Sequence, residues 1–274
     1  MQPSACWRRV FGCDMTKLHY LDPNAAGQPT VLLLHGLGAD ATSWTLQLPA
    51  LTGAGFRPIA TDTPGFGQSP YDGHGWSICR IAAELASLLE ELQTGPAHVV
   101  GLSMGGTIAQ QFALDFPQLT RRLVLVSTFS VLRPDTLSGW FYFIQRLVVV
   151  NTLGLPAQAR LVAQRIFPAP HQEYLREILV ETISNADPRA YRKAMASLGL
   201  FNSMKRLGEI KVPTLVVTGA DDTTVTPARQ RLLVDGIPDA RQVIVPHAGH
   251  AVPVDQAERF NRELLTFLLQ SSWK

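Results

Sequence analysis

His98-Val99-Val100-Gly101-Leu102-Ser103-Met104-Gly105-Gly106 runs from an apolar segment into a Gly-x-Ser-x-Gly core, and Thr107-Ile108-Ala109-Gln110-Gln111-Phe112-Ala113 continues it with a helical pattern. Strand, sharp turn and helix in that order hold a serine in a strained turn, its hydroxyl clear of the backbone. Gly101 and Gly105 carry no Cβ to collide where strand and helix pass closely. The first amides of the helix then point toward Ser103, where they can stabilise negative charge. A small-residue turn in any α/β protein has the same local pattern, so the weight rests on its surroundings.

Upstream, Lys17 to Leu21 is a candidate edge strand, and Val31-Leu32-Leu33-Leu34-His35 is a continuous apolar run of the kind covered on both faces in a parallel sheet. It leads into Gly36-Leu37-Gly38 and a helix expected from Ser43 to Leu51. Phe56 to Thr61 is the next strand, and Ser77 to Leu92 reads as an amphipathic helix with Ser77 as its cap. Downstream, Arg122 to Ser127 is a further buried strand. Alternating strands and helices predict a parallel sheet with right-handed crossovers. From Ser130 to Leu207 the pattern turns wholly helical, with breaks at Gly154, Pro156, Pro168 and Pro188. It reads as an inserted cap. Alternation resumes with a strand at Thr214–Thr218, a helix from Ala228, a strand at Gln242–Val245 and a helix from Glu258 to Gln270. The expected division is an extension over 1–14, a core over 15–129 and 208–274, and a cap over 130–207.

The chain has 274 residues, 24 basic and 22 acidic, with no block of like charge, so no nucleic-acid footprint is visible. The most apolar segment, Trp140 to Val150, is interrupted by Gln145 and Arg146 and falls short of the roughly 20 residues that span a bilayer. Residues 1–14 lack the apolar stretch of a secretion signal. Cys6, Cys13 and Cys79 have no metal-ligand spacing and are odd in number, which favours reduced thiols and a cytoplasmic setting.

A serine nucleophile needs a base, and the base an orienting acid, on loops at the carboxyl edge of the sheet. Thr218-Gly219-Ala220-Asp221-Asp222 leaves one strand, and Val245-Pro246-His247-Ala248-Gly249-His250 leaves the last. His250 is preferred to His247, which lies nearer the strand end, and Asp222 to Asp221, which suits an Asx-type turn. Asp135 is a third candidate acid. The chain order Ser, Asp, His differs from both serine-protease orders.

These segments resemble the α/β-hydrolase superfamily, in its single-cap branch that includes 3-oxoadipate enol-lactonases and small esterases. His35-Gly36-Leu37-Gly38 resembles the oxyanion loop of that family, with Trp44 as the aromatic that follows it. Asp62-Thr63-Pro64-Gly65-Phe66-Gly67-Gln68-Ser69 resembles its D-x-P-G-x-G-x-S loop, Gly101–Gly106 its nucleophile elbow, and Ala248-Gly249-His250 its histidine loop. Thr226 departs from the family, where Pro is frequent.

The resemblance implies a mostly parallel sheet flanked by helices. It implies Ser103 as nucleophile, His250 as base, Asp222 as its partner, and the amides of Leu37 and Met104 as oxyanion donors. His35 is expected to support the oxyanion loop, and Asp62 and Ser69 to hold their own loop. Trp44, Leu102, Met104, Trp140 and Phe143 are expected to line the substrate pocket. The implied activity is hydrolysis of a small, largely apolar carboxylic ester or lactone, without metal or organic cofactor, by a monomer or homodimer. Two alternatives stand beside it. One is carbon–carbon bond hydrolysis of a vinylogous diketone, whose enzymes usually carry Asn where Leu102 stands. The other is a ligand receptor without turnover on the same fold.

Overall fold

The computed structural model describes residues 17–132 and 137–270, apart from the side chain of Ser138. Seven strands form one sheet: β1 (Tyr20–Leu21), β2 (Thr30–Leu34), β3 (Arg57–Thr61), β4 (Ala97–Leu102), β5 (Thr120–Val126), β6 (Thr214–Gly219) and β7 (Ala240–Val245). Their order across the sheet is β1-β3-β2-β4-β5-β6-β7. β1 runs antiparallel to β3, and the remaining pairs are parallel. β1 is shorter than the expected Lys17–Leu21.

The unbroken apolar runs are buried because both sheet faces are covered. Leu32, Leu34, Val99, Leu123 and Leu125 face one layer, packed on α2 (Ile78–Glu91) and α3 (Met104–Asp115). Val31, Leu33, Val100, Val124 and Val126 face the other, packed on α1 (Leu48–Gly53) and on the C-terminal helix at Ala257–Leu269. Alternation along each strand assigns neighbouring residues to opposite layers. Ser77 caps α2, its hydroxyl accepting from the Arg80 amide at 3.2 Å.

The helix expected from Ser43 to Leu51 is divided. Asp40 caps a 3-10 turn at Ala41–Trp44, and α1 begins afresh at Leu48 with Pro49 in its first turn. Proline fits the start of a helix but cannot donate within one, so the two pieces do not merge.

Between β5 and β6 stand α4 (Leu137–Thr152), α5 (Gly154–Ile166), α6 (Glu173–Asn185) and α7 (Pro188–Leu200). An antiparallel bridge between Val131 and Asn202, and the Ser203 amide donating to the Ser130 carbonyl at 2.8 Å, bring the two ends of this segment together. The chain then continues through β6, α8 (Pro227–Gly236) and β7. A short α9 (Val252–Asp255) precedes α10 (Ala257–Leu269).

Cys79, in the first turn of α2, is disulfide-bonded. That corrects the expectation of three reduced thiols; Cys6 and Cys13 lie outside the described residues, as do the 1–14 extension and Asp135. Among the described residues no helix is long and apolar enough to cross a membrane.

Candidate active site

The register of the sheet gathers the site. Leu34 pairs with Gly101, Leu102 with Val126 and Gly219 with Val245, so the loops after β2, β4, β6 and β7 leave from one edge. Ser103 sits between β4 and α3 at φ 54° and ψ −110°, in the left-handed half of backbone space. Its neighbours over-determine that strained geometry. The Ser103 amide donates to the Val126 carbonyl at 2.9 Å, and its carbonyl accepts from the Thr128 hydroxyl at 2.7 Å and the Gly106 amide at 3.0 Å. The two glycines are required by close approach. A Cβ on Gly101 would stand 2.2 Å from the Gly105 carbonyl oxygen, and one on Gly105 would stand 2.1 Å from that of Leu34.

His250 Nε2 lies 3.0 Å from Ser103 Oγ, and His250 Nδ1 lies 2.9 Å from Asp222 Oδ2. His250 and Asp222 are both buried. Asp222 is held by the loop after β6: its Oδ1 accepts from the amides of Thr224 and Val225 at 2.8 and 2.9 Å. Gln230 Nε2 donates to Oδ2 at 3.3 Å, and the Thr218 hydroxyl donates to Gln230 Oε1 at 2.8 Å. Such bonds fix the direction of the carboxylate. The neighbouring Asp221 and His247 are both exposed and make no part of this chain of contacts.

The histidine loop has its own anchor, which sequence reasoning missed. Asp255 Oδ2 accepts from the Gly249 amide at 2.8 Å, and Oδ1 accepts from Gln172 Nε2 at 3.0 Å. Burial pushes the Asp255 carboxyl above its ordinary range, against the opposing pull of the Gly249 amide and His250.

His35 Nε2 accepts from the Thr63 amide at 3.0 Å, which leaves Nδ1 to donate to the Gly36 carbonyl at 2.8 Å. Complete burial lowers its pKa, so the ring is a neutral brace between the loops after β2 and β3. Asp62 ties its glycine-rich loop by accepting from the amides of Ala41 and Gln68 at 2.6 and 2.8 Å, and it contacts His19 Nδ1 at 2.7 Å. The Ser69 hydroxyl donates to the Asp62 carbonyl at 2.8 Å.

Met104 is the first residue of α3, where helix amides lack an intrahelical acceptor. Leu37 follows Gly36 across from the serine. Among the described residues neither amide has a hydrogen-bond acceptor, so both are free to donate.

Ser103 opens on a cavity of about 130 Å³ whose wall includes Leu37, Leu102, Tyr142, Arg146, Val162 and His250. A second chamber of about 150 Å³ shares Leu37, Tyr142, Arg146 and Thr224 with it, and Phe143 lines this one. Leu102 therefore lines the chamber at Ser103 and Phe143 only the second one, while three other residues expected in the pocket line neither. Trp44 is fully buried in the core against Phe260, ring centroids 6.4 Å apart, because the 3-10 turn aims it into the layer under the sheet. Met104 is likewise buried in the opposite layer, leaving only its amide at the site. Trp140 is half exposed and meets Phe143 edge-on. The inward face of α4 is instead Gly139, Tyr142, Phe143 and Arg146, at helical spacing. Tyr142 and Arg146 were missed; the available signal was a lone charge one turn from an aromatic within an apolar helix.

Comparison with known proteins gives a consistent picture. A family model described as "alpha/beta hydrolase fold" matches residues 29–257. The chain is 35% identical over 263 residues to "Putative carbamate hydrolase RutD" of Variovorax paradoxus (strain S110), covering 93% of this chain and 97% of that protein. It is 31% identical over 278 residues to a 2-hydroxy-6-oxononadienedioate/2-hydroxy-6-oxononatrienedioate hydrolase of Burkholderia vietnamiensis (strain G4 / LMG 22486), covering 92% and 91%. The crystal structure of the enol-lactonase from Burkholderia xenovorans LB400 superposes with a TM-score of 0.85 at 27% identity, covering 94% of this chain and 98% of that one.

Proposed function

The chain belongs to the α/β-hydrolase family, and on that premise we propose that it hydrolyses a small, largely apolar carboxylic ester or lactone through an acyl-serine intermediate. The observation that carries this reading is the unbroken relay from Ser103 Oγ to His250 at 3.0 Å and from His250 to Asp222 at 2.9 Å, opening on a cavity. In this reading residues 130–207 act as a cap over the core formed by 15–129 and 208–274.

Ser103 Oγ attacks the carbonyl carbon while His250 Nε2 takes its proton. Asp222 holds the imidazole with Nδ1–H toward its carboxylate and stabilises the positive charge that forms. The oxyanion accepts from the amides of Leu37 and Met104, the latter at the positive end of α3. His250 returns the proton to the departing alkoxide, leaving acyl-Ser103. Water then gives a proton to His250 as its oxygen attacks the acyl carbon, and collapse releases the carboxylic acid and restores Ser103. Each donor and each proton carrier in this cycle belongs to the chain itself.

The test is steady-state hydrolysis of p-nitrophenyl esters from acetate to decanoate by the native protein and Ser103→Ala. Saturable turnover that falls by at least about 10⁴-fold in the variant is expected, since loss of the nucleophile disables the whole relay. Native turnover retained in Ser103→Ala would refute the assignment. The Burkholderia vietnamiensis relative supports a second reading, carbon–carbon bond hydrolysis of a vinylogous diketone by the same three residues. Preference for such a diketone over every ester of the series would establish it.

A further inference from the structure

Asp255 joins the loop that carries His250 to the helical segment between β5 and β6. It is the last residue of α9, the short helix that follows His250. Its carboxylate turns back to the residue before the base, where Oδ2 accepts from the Gly249 amide at 2.8 Å. Oδ1 accepts from Gln172 Nε2 at 3.0 Å, across 83 positions of the chain. Gln172 closes the 3-10 turn Pro170–Gln172 between α5 and α6. Its own Oε1 accepts from the Ala169 amide at 3.0 Å, which fixes the side chain with its nitrogen toward Asp255. Arg176 of α6 braces the same turn, Nη1 donating to the Phe167 and Ala169 carbonyls at 2.8 and 2.7 Å.

Two other bonds hold the histidine loop, and both act before Gly249. The Asp221 amide donates to the Ala248 carbonyl at 2.9 Å, and Gln256 Nε2 donates to that of His247 at 3.3 Å. Gly249 itself has the freest backbone of any residue type, so a rotation there would swing the imidazole that follows it. The Asp255 carboxylate removes that freedom by holding the Gly249 amide. A carboxylate that merely closed a local turn would need that bond alone; the second one reaches a distant turn that is itself fixed. Neither Asp255 nor Gln172 lines the chamber at Ser103, whereas both border, with Gly249 and His250, a different chamber of about 210 Å³. They stand behind the base, away from the place for substrate.

We propose that Asp255 and Gln172 form a positioning bracket that sets the angle of His250 toward Ser103, so that the relay is aligned only while the α5–α6 turn is seated on the histidine loop. This deepens the acyl-serine reading and rests on it. Neither residue touches substrate or carries a proton in the cycle. His250 serves both half-reactions, so kcat reads its alignment whichever of them is slower, and misplacement by about 1 Å costs on the order of 100-fold.

The experiment measures kcat and KM for a p-nitrophenyl ester, per serine titrated with a fluorophosphonate. Asp255→Ala leaves the Gly249 amide without its acceptor, and kcat is expected to fall by at least about tenfold with KM within about threefold of native. Asp255→Asn keeps an oxygen for Gly249 but sets its NH2 group against Gln172 Nε2, for a loss of about three- to tenfold. Gln172→Glu brings two carboxylates together and should lose at least as much. In the double variant Asp255→Asn, Gln172→Glu the bond between the two side chains re-forms with its direction reversed. The glutamate still accepts from Ala169, the pair keeps a single negative charge, and kcat should recover most of the loss. A purely structural role would lower the thermal midpoint and leave kcat per titrated serine unchanged.

A smaller loss in Asp255→Ala, or a loss in KM in place of kcat, overturns the bracket. A double variant no faster than Asp255→Asn overturns the part played by Gln172, and this pair carries the test if Asp255→Ala does not fold. If the native protein turns over no ester, the acyl-serine reading fails separately, and the bracket is read from the NMR resonance of the His250 Nδ1 proton. A shift in Asp255→Asn that the double variant reverses sustains the bracket; an unmoved resonance overturns it.

Discussion

Asp222→Asn isolates the orienting role of the acid from its structural one. Asp222 Oδ1 accepts from the amides of Thr224 and Val225 at 2.8 and 2.9 Å. Both are fixed donors, so the oxygen of an asparagine must take that place, and its NH2 group must turn to where Oδ2 now meets His250 Nδ1. Two donors then face each other unless the imidazole moves its proton from Nδ1 to Nε2. In that tautomer Nε2 carries a hydrogen and cannot accept one from Ser103, 3.0 Å away. The expected loss is about 10⁴-fold in kcat, the magnitude seen when the same exchange traps a triad histidine in the wrong tautomer. That corresponds to about 5 kcal/mol of transition-state stabilisation. Folding should suffer far less. The two backbone amides stay satisfied, and the one contact set against like polarity is that from Gln230 Nε2, at 3.3 Å, for a cost of about 1 kcal/mol. The assay is kcat for a p-nitrophenyl ester at saturation beside the thermal midpoint of each protein, with Asp221→Asn as the neighbouring comparison. Activity within tenfold of native in a folded Asp222→Asn protein would refute the argument and return the acid to Asp221 or Asp135.

Two further perturbations test the fold. His98, buried on β4 with Nδ1 unpartnered, has its pKa lowered from 6.5 to about 4, first by burial and then by Arg122 and Arg121. The folded state therefore holds the ring neutral where the unfolded chain protonates it. Stability is full above pH 6.5 and declines as pH falls toward 4, by about 3 kcal/mol from this group. Urea midpoints measured across that window should fall less steeply in His98→Gln; identical slopes would remove His98 as the cause. Trp44→Ala deletes a fully buried ring packed on Phe260 and should cost about 3–5 kcal/mol in the same urea assay. A cost below about 1 kcal/mol would show that the ring is not in the core.

The three residues of the relay were readable because each follows the end of a buried parallel strand, and strands of that kind announce themselves as short apolar runs. Ser103 after β4, Asp222 after β6 and His250 after β7 are far apart in sequence, yet the sheet register alone brings their loops to one edge. Glycine spacing around Ser103 added a second constraint, because the 2.1 and 2.2 Å approaches at Gly105 and Gly101 admit no side chain. Trp44 and Met104 failed as pocket residues for a different reason. Position near a site in sequence fixes the backbone, but a 3-10 turn or the first turn of a helix rotates the side chain to a face that spacing does not reveal. The anchor at Asp255 was invisible too, since its partners Gly249 and Gln172 come from the histidine loop and the distant helical segment.

The same distinction explains why the proposed chemistry and its substrate were unequally legible. Bond-breaking groups must meet each other at hydrogen-bond distance, so they leave motifs with fixed residue types and order. A substrate-binding face has to complement only its ligand, and here it is built from one side of α4, an apolar helix on every face. Phe141, Ile144 and Val148 are exposed on that helix, so hydrophobicity along it does not tell inside from outside. Charge does. Arg146 is the one ionisable group with a lasting charge within Leu137–Thr152, and it sits one turn from Tyr142 on the cavity side.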